Sequence, residues 1–341
     1  MQTKAFLLVK NGRPQDAFSL EIIQLPKMEA DDITIEVSAF GLNYADVMAR
    51  NGLYRECPSL PTTIGYEVVG TVVAVGDEKL NHLLAKKVVA FTRFGGYAQH
   101  VITKEYAIAE IGEYDEHKAL CLATQYVTAY YMTNYVTNVH PNENVLVHAA
   151  AGGVGTALIQ LLKLKNARII AKTGSDAKMG YLKELGVTDI INYRKEDYTA
   201  ACRKLLKNER LDISFNPVAG ATFKQDMKLL GSGGRMILFG GSERSGKKFG
   251  FFSTLNFVWK MGMVIPIGLM MRSKNILGVN MLKIADNKPA VLSTCLKACV
   301  ELALEGKIDP QVGAVYENAN LVDAHAYLES GESTGKVVVK W

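Results

Sequence analysis

The run Val145-Leu-Val-His-Ala-Ala-Ala-Gly152-Gly153-Val154-Gly155 carries the residues whose types and spacing point most directly to chemistry. An aliphatic stretch turns through small residues into a segment of helical character, Thr156 to Lys165. Small residues in such a turn let backbone N–H groups approach a pyrophosphate. The helix that follows points its positive end at that anion. The spacing reads Ala150-x-Gly152-x-x-Gly155, with alanine where the dinucleotide fingerprint has its first glycine. A strand before the turn, a helix after it and a second strand at Ala167–Ala171 set it apart from a plain glycine-rich turn. Ala151, Gly152, Gly153, Val154 and Gly155 are expected to hold the pyrophosphate of a dinucleotide.

The tip of the second strand bears on which dinucleotide. Sites for NAD place an Asp or Glu there to bind the ribose 2′-hydroxyl. Here the tip reads Ala171-Lys172-Thr173-Gly174-Ser175, and the nearest acid, Asp176, lies past the turn. Small hydroxyls, Lys178 on the following helix and Tyr193 at the end of the next strand suit a 2′-phosphate. Thr173, Gly174, Ser175, Lys178 and Tyr193 are therefore expected to select NADPH. The competing reading makes Lys178 an ordinary solvated helix residue.

These residues need a scaffold. The chain has 341 residues and 48% hydrophobic content, enough for about two domains with buried cores. Its net charge of +5 is spread out: Lys86-Lys87 and Lys247-Lys248 are only pairs, so nucleic-acid binding is not expected. Cys57, Cys121, Cys202, Cys295 and Cys299 are scattered and odd in number, which fits a reduced, cytoplasmic protein without a disulfide framework. Cys295 and Cys299 share a helix face and read as a buried pair. The N-terminus reads as an immediate strand and not as a secretory signal. The uninterrupted apolar run Met261–Met271 has eleven residues, and a membrane span needs roughly twenty. A lid, an apolar cleft wall or a peripheral membrane contact stay open for Phe251–Met271.

The first 120 residues read as β-rich, with strands expected at Lys4–Val9, Ile33–Phe40, Val68–Val75 and Lys87–Phe91. From about Leu120 strands and helices alternate. Strands are expected at Val145–Ala149, Arg168–Ala171, Ile190–Ile191, Ile213–Phe215, Arg235–Phe239 and Ile276–Val279, and a helix at Ala177–Leu185. That alternation predicts a parallel, doubly wound α/β sheet. A helix at Lys288–Leu304, a strand at Val312–Tyr316, a helix near Ala319–Glu329 and a closing strand Lys336–Lys340 follow. The simplest architecture inserts the nucleotide domain, residues 124–283, into a β-rich domain made of residues 1–123 and 284–341.

The motifs Gly41-Leu42-Asn43-Tyr44-Ala45-Asp46, Arg50-Asn51-Gly52-Leu53-Tyr54 and Gly65-Tyr66-Glu67-Val68-Val69-Gly70, with Ala149 to Gly155, carry a family likeness. Together they resemble the zinc-free quinone oxidoreductase branch of the medium-chain dehydrogenase/reductase superfamily, the branch of zeta-crystallin. Within it the chain is most similar to the vesicle amine transport protein homologues. The resemblance runs through Ser333-Thr334-Gly335-Lys336-Val337-Val338 and implies a GroES-like β-rich domain, a Rossmann domain and a cleft between them. It also implies that Thr128, Phe239, Gly240 and Lys336 border the cofactor, and that the protein is a homodimer joined along the edge strand Ile276–Met281.

Zinc enzymes of the superfamily have cysteine where this chain has Asn43 and histidine where it has Tyr66. Amide and phenol are poor zinc ligands, so no metal is expected. Without a Lewis acid, hydride needs an acceptor that is already electrophilic, such as a quinone or an α,β-unsaturated carbonyl. The resemblance places Asn43 beside the nicotinamide, makes Asp46 a holder of the loop, and sets Tyr54 on the cleft wall. Tyr54 is read either as proton donor or as an aromatic wall that packs on the substrate. The expectation is a cytoplasmic, zinc-independent NADPH:quinone or enone reductase acting on a small hydrophobic substrate. Met48 stands where the branch usually has tyrosine. With the apolar Phe251–Met271 segment it supports an alternative: an NADPH-binding protein of little turnover that contacts membrane, lipid or protein partners.

Overall fold

The computed structural model describes residues 1–242 and 251–341; the Lys247-Lys248 pair lies outside them. The chain forms two compact units, Met1–Thr128 with Met281–Trp341, and Ala129–Asn280. The junctions fall at 128/129 and 280/281 instead of 123/124 and 283/284. The helical run from Glu116 to Val136 passes through the first junction without a Gly or Pro to mark it, and the helix Met281–Asn287 belongs with the first unit.

The first unit is organised around Asp32–Leu42. Ile33, Ile35, Val37, Phe40 and Leu42 are buried on this strand. It pairs antiparallel with Glu67–Val75 on one side and with Lys336–Lys340 on the other. The closing strand is buried at Val337, Val338 and Val339, the continuous β-branched run of a strand covered on both faces. The larger sheet runs Val312–Glu317, Lys336–Lys340, Asp32–Leu42, Glu67–Val75, Lys87–Phe91, Ile108–Glu110, with His100–Lys104 also pairing Asp32–Leu42. A second sheet joins Phe18–Gln24, Gln2–Leu8 and Thr62–Thr63. Register sets Val337 opposite Leu42 and Val68 opposite Phe40. Three segments far apart in sequence, at Asn43, Glu67 and Lys336, thereby meet at one sheet end.

The second unit is a six-stranded parallel sheet. Its order is Asp189–Asn192, Arg168–Thr173, Asn144–Val147, Leu211–Asn216, Leu230–Leu238, Asn275–Gly278. In chain order that is third, second, first, fourth, fifth, sixth, the dinucleotide-binding arrangement. The helix Gly153–Leu164 buries Leu158, Ile159, Leu161 and Leu162. Ser175 caps the helix Asp176–Glu184 by accepting from the Lys178 N–H at 3.3 Å.

Several elements escape the sequence pattern. Phe18–Gln24 and His100–Lys104 are short strands, and Leu122–Tyr126 and Tyr131–Val136 are π-helical stretches inside one helical run. The apolar segment forms two helices, Phe251–Met261 and Pro266–Arg272, the second opened by proline at a first-turn position. Trp259, Met263, Met270 and Met271 are 75–88% exposed there. Among the described residues no helix is long and apolar enough to cross a membrane.

Candidate functional site

In the first unit, Asn43 opens the helix Tyr44–Arg50. Three positions on, the Asp46 Oδ2 accepts from the Asn43 N–H at 2.7 Å, the return half of a capping box. Asp46 is fully buried, and burial pushes its carboxyl up to about 7 against the pull of that N–H and of Lys336. The Asp46 carboxyl thereby ties the start of this helix to Asn43.

The Asn43 side chain faces a buried ion pair. Its Nδ2 donates to Glu67 Oε1 at 2.8 Å, and its Oδ1 accepts from Lys336 Nζ at 3.1 Å. Lys336 and Glu67 contact each other directly, and both side chains are wholly buried. Burial lowers Lys336 to about 7, with Asp46 pulling the other way. Gly41 makes the pair possible: a Cβ there would lie 2.4 Å from Lys336 Cε and 2.5 Å from Glu67 Oε1. Lys336, expected to border the cofactor, thus joins Asn43. Sequence reasoning left Glu67 without a role although it quoted the Gly-Tyr-Glu motif.

Beside this group lies an aromatic cluster. Tyr54 meets Tyr66 edge-on at 6.1 Å between ring centroids, and Tyr66 lies 5.3 Å from Phe94. Burial raises the ionisation of both phenols, so each stays neutral through the physiological range. The Tyr66 hydroxyl is buried and finds no hydrogen-bond partner among the described residues. Thr128 is buried at the end of the first unit's N-terminal part.

The second unit contains the glycine-rich turn. Ala149 adopts φ +49°, a left-handed conformation a side chain rarely takes, and its carbonyl accepts from Gly152 N–H at 2.9 Å. The helix begins at Gly153 with Gly152 as its N-cap. A Cβ on Gly155 would lie 2.4 Å from Ala149 O and 2.5 Å from Ala150 O, so only glycine lets the helix pack this closely on the turn. Ala151 is buried beneath the turn, and Val154 lies in the helix's first turn.

The neighbouring strand tip brings Thr173, Gly174, Ser175 and Tyr193 together. Thr173 is buried, and Tyr193 follows the next strand with its N–H donating to Thr173 O at 3.1 Å. The Tyr193 phenol lies over Gly174, where a Cβ would sit 2.8 Å from its hydroxyl. Asp176, the nearest acid, is engaged with Asn192 at 2.9 Å and with Lys195. Phe239 and Gly240 follow the fifth strand, and a Gly240 Cβ would lie 2.7 Å from Pro217 O.

The donor sets for metal are poor. Among the described residues the one cluster of acids with metal-ligand spacing is Glu29, Asp31 and Asp32, and Lys104 pairs with all three.

Comparison with known proteins agrees with this layout. The family model "Zinc-binding dehydrogenase" matches residues 153–297, and "Alcohol dehydrogenase GroES-like domain" matches residues 29–113. The synaptic vesicle membrane protein VAT-1 homologue of Homo sapiens is 30% identical over 311 residues, 90% of this chain and 78% of the relative. That of Danio rerio is 30% identical over 318 residues, 92% of this chain; the chain spans only 65% of its length. The Homo sapiens quinone oxidoreductase is 26% identical over 339 residues, covering 98% of this chain and 97% of the relative. The crystal structure of Escherichia coli quinone oxidoreductase complexed with NADPH superposes with a TM-score of 0.84 at 24% identity, over 99% of this chain and 100% of that one.

Proposed function

The chain belongs to the medium-chain dehydrogenase/reductase superfamily, in its quinone-oxidoreductase-like branch beside the VAT-1 homologues, and from that premise we propose that it is an NADPH-dependent reductase of quinones or α,β-unsaturated carbonyls that works without zinc. One observation carries the reading: the strand–turn–helix from Asn144 to Leu164, in which Gly155 leaves no room for a side chain. Gly152 to Gly155 suit the pyrophosphate, and Ser175, Lys178 and Tyr193 suit a 2′-phosphate. A site for the bare ribose hydroxyl needs a carboxylate, and Asp176 is already held by Asn192 and Lys195.

Bound NADPH supplies hydride. The chain's own residues have other tasks. Asn43 is held rigid by Glu67 and Lys336 and is suited to orient an acceptor oxygen or the cofactor amide. The Lys336 ammonium, seated between Asn43 Oδ1 and Glu67, opposes a divalent cation at the position where zinc enzymes bind theirs. Tyr54 and Tyr66 form an apolar wall that excludes water; as weakly acidic phenols they suit packing and hydrogen bonding better than proton release. A quinone that has accepted hydride takes its proton from solvent.

A second reading rests on a separate observation. Leu255, Val258, Trp259 and Ile267 are exposed along the two helices of the apolar segment, and Met263 between them, more than a monomer leaves bare without use. A protein or membrane partner seated there, with cofactor binding but little turnover, is the alternative. Following NADPH oxidation at 340 nm against a panel of quinones and enones tests the first reading. Turnover supports it; tight cofactor binding without turnover supports the second.

A further inference from the structure

Under the helices on one face of the parallel sheet lies a polar cluster that the proposed reaction does not use. Lys172, next to last on its strand, is buried. Its Nζ donates to His148 Nδ1 at 3.2 Å. His148 follows the first strand and turns its other nitrogen to Asp226 Oδ2 at 2.8 Å. Asp226 also accepts from Tyr198, Ser214 and Asn216, each at 2.7 Å. Those donors and His148 hold its carboxylate below the usual range although burial opposes this. Burial keeps His148 neutral. Its Nδ1 lone pair receives the lysine and its Nε2 lies against the carboxylate, so one imidazole stands between a buried cation and a buried anion.

The arrangement is asymmetric. Among the described residues Lys172 has no carboxylate within ion-pair distance; Asp197 acts on it from farther off, and two aromatic faces lie against it. The Nζ lies 3.7 Å from the Tyr198 ring centroid and 5.0 Å from that of Tyr193. Tyr198 is buried and fixed by Asp226, whereas Tyr193 is 48% exposed with its hydroxyl over Gly174, beside Ser175. A charge placed behind an exposed phenol does two things. It holds the ring in place, and it draws electron density from the ring, which makes the hydroxyl a stronger donor toward an anion.

Building on the NADPH reading, we propose that Lys172 is a positioning residue for cofactor selection: through the face of Tyr193 it aims that phenol at the 2′-phosphate and adds a fixed positive charge behind it. The lysine acts without touching the phosphate, and Asp226, reached through His148, keeps it charged in its buried setting. Burial brings Lys172 down to about 8, with Asp226 and Asp197 opposing. The groups facing it are His148, Tyr193, Tyr198, Asp197 at the head of the Tyr198 helix and, through His148, Asp226; burial raises the Tyr198 phenol well above this window. A bound dianion favours the charged lysine. Binding above pH 8 therefore takes up a proton, and affinity for NADPH falls as pH rises from 7 to 9.

The test is fluorescence titration of NADPH and NADH from pH 6.5 to 9.5 with the full-length wild type, Lys172→Met, Lys172→Arg, Tyr193→Leu and the Lys172→Met/Tyr193→Leu double variant. Circular dichroism on each variant checks that it is folded. Lys172→Met is expected to weaken NADPH roughly tenfold, the scale of a buried cation–π contact, and NADH less than twofold. Lys172→Arg should restore most of the affinity, and the double variant should lose no more than Tyr193→Leu alone. The alkaline fall in NADPH affinity should vanish in Lys172→Met. Equal losses for both cofactors, or additive losses in the double variant, would overturn the inference. If Lys172→Met does not fold, the Lys172→Arg pH profile and the Tyr193→Leu preference decide: an unchanged NADPH preference in Tyr193→Leu sinks the proposal. A wild type that binds neither cofactor, or both equally, refutes the underlying NADPH reading instead, so the two failures are distinguishable.

Discussion

Lys336 donates to the Asn43 amide oxygen at 3.1 Å across 293 positions of sequence, and the same ammonium contacts Glu67. The three side chains form one buried unit, so none acts alone. Removing either charged member leaves the other charge in the core without its partner. Glu67→Gln and Lys336→Met should each destabilise the fold by about 3–5 kcal/mol, the cost of breaking a buried pair. Urea unfolding at pH 7 measures this. The same geometry predicts that the purified protein holds no stoichiometric zinc and keeps its activity in chelator. One zinc per chain by elemental analysis would contradict it.

Acid should weaken the first unit through His325. Its Nε2 lies 3.1 Å from the Tyr97 hydroxyl, its ring packs on Phe18 at 4.8 Å, and burial with the nearby Arg50 charge lowers it to about 3. The unfolded chain takes up this proton near pH 6.5, and the folded chain does not. Stability therefore rises with pH between about 3 and 6.5, and is lost as pH falls through that window. At pH 5 the loss from His325 is about 2 kcal/mol relative to pH 7. Denaturant midpoints at the two pH values, wild type beside His325→Gln, check this. An equal pH dependence in both would contradict it.

Cofactor choice should follow Lys178. Lys178→Ala is expected to weaken NADPH roughly tenfold or more, the scale of a charged hydrogen bond to phosphate, and to leave NADH nearly untouched. Equal affinity of the wild type for both cofactors would count against the 2′-phosphate assignment.

The sequence was a good guide where chemistry and local pattern coincide. Gly155 sits in the first strand–turn–helix, Ser175 at the cap of the next helix and Tyr193 just past the third strand, as their spacing implies, because hydrophobic period and turn chemistry are local properties. The Asn43–Glu67–Lys336 unit was not legible. Glu67 and Lys336 lie on two strands and Asn43 just past the end of a third, and only the register that sets Val337 opposite Leu42 and Val68 opposite Phe40 brings them together. That Lys336 lies on an interior strand of the first unit's sheet, where a buried lysine needs a buried acid, follows from the same register. The surroundings of Lys172 are not legible from the strand tip either, since Tyr198 and, through His148, Asp226 reach it by helix packing.

Assembly is expected through the edge strand Asn275–Gly278. It pairs on one side with Leu230–Leu238 and ends the sheet, and the exposed Met270 and Met271 lie just before it. An edge left unpaired among the described residues, with apolar neighbours, favours pairing with a second copy. Light scattering should give a dimer at micromolar concentration, and Met271→Asp with Trp259→Asp should shift it toward monomer. A wild type that is only monomeric would contradict this.

The central claim is hydride transfer from NADPH to a conjugated carbonyl, and steady-state NADPH consumption with 1,4-naphthoquinone and an alkenone, wild type beside Tyr54→Phe, tests it most directly. The account predicts turnover with at least one acceptor class. It also predicts that Tyr54→Phe lowers kcat by less than about tenfold, below the 10²–10⁴ of a lost general acid, because burial holds that phenol's proton tightly. Tight NADPH binding with no turnover on either class would contradict it.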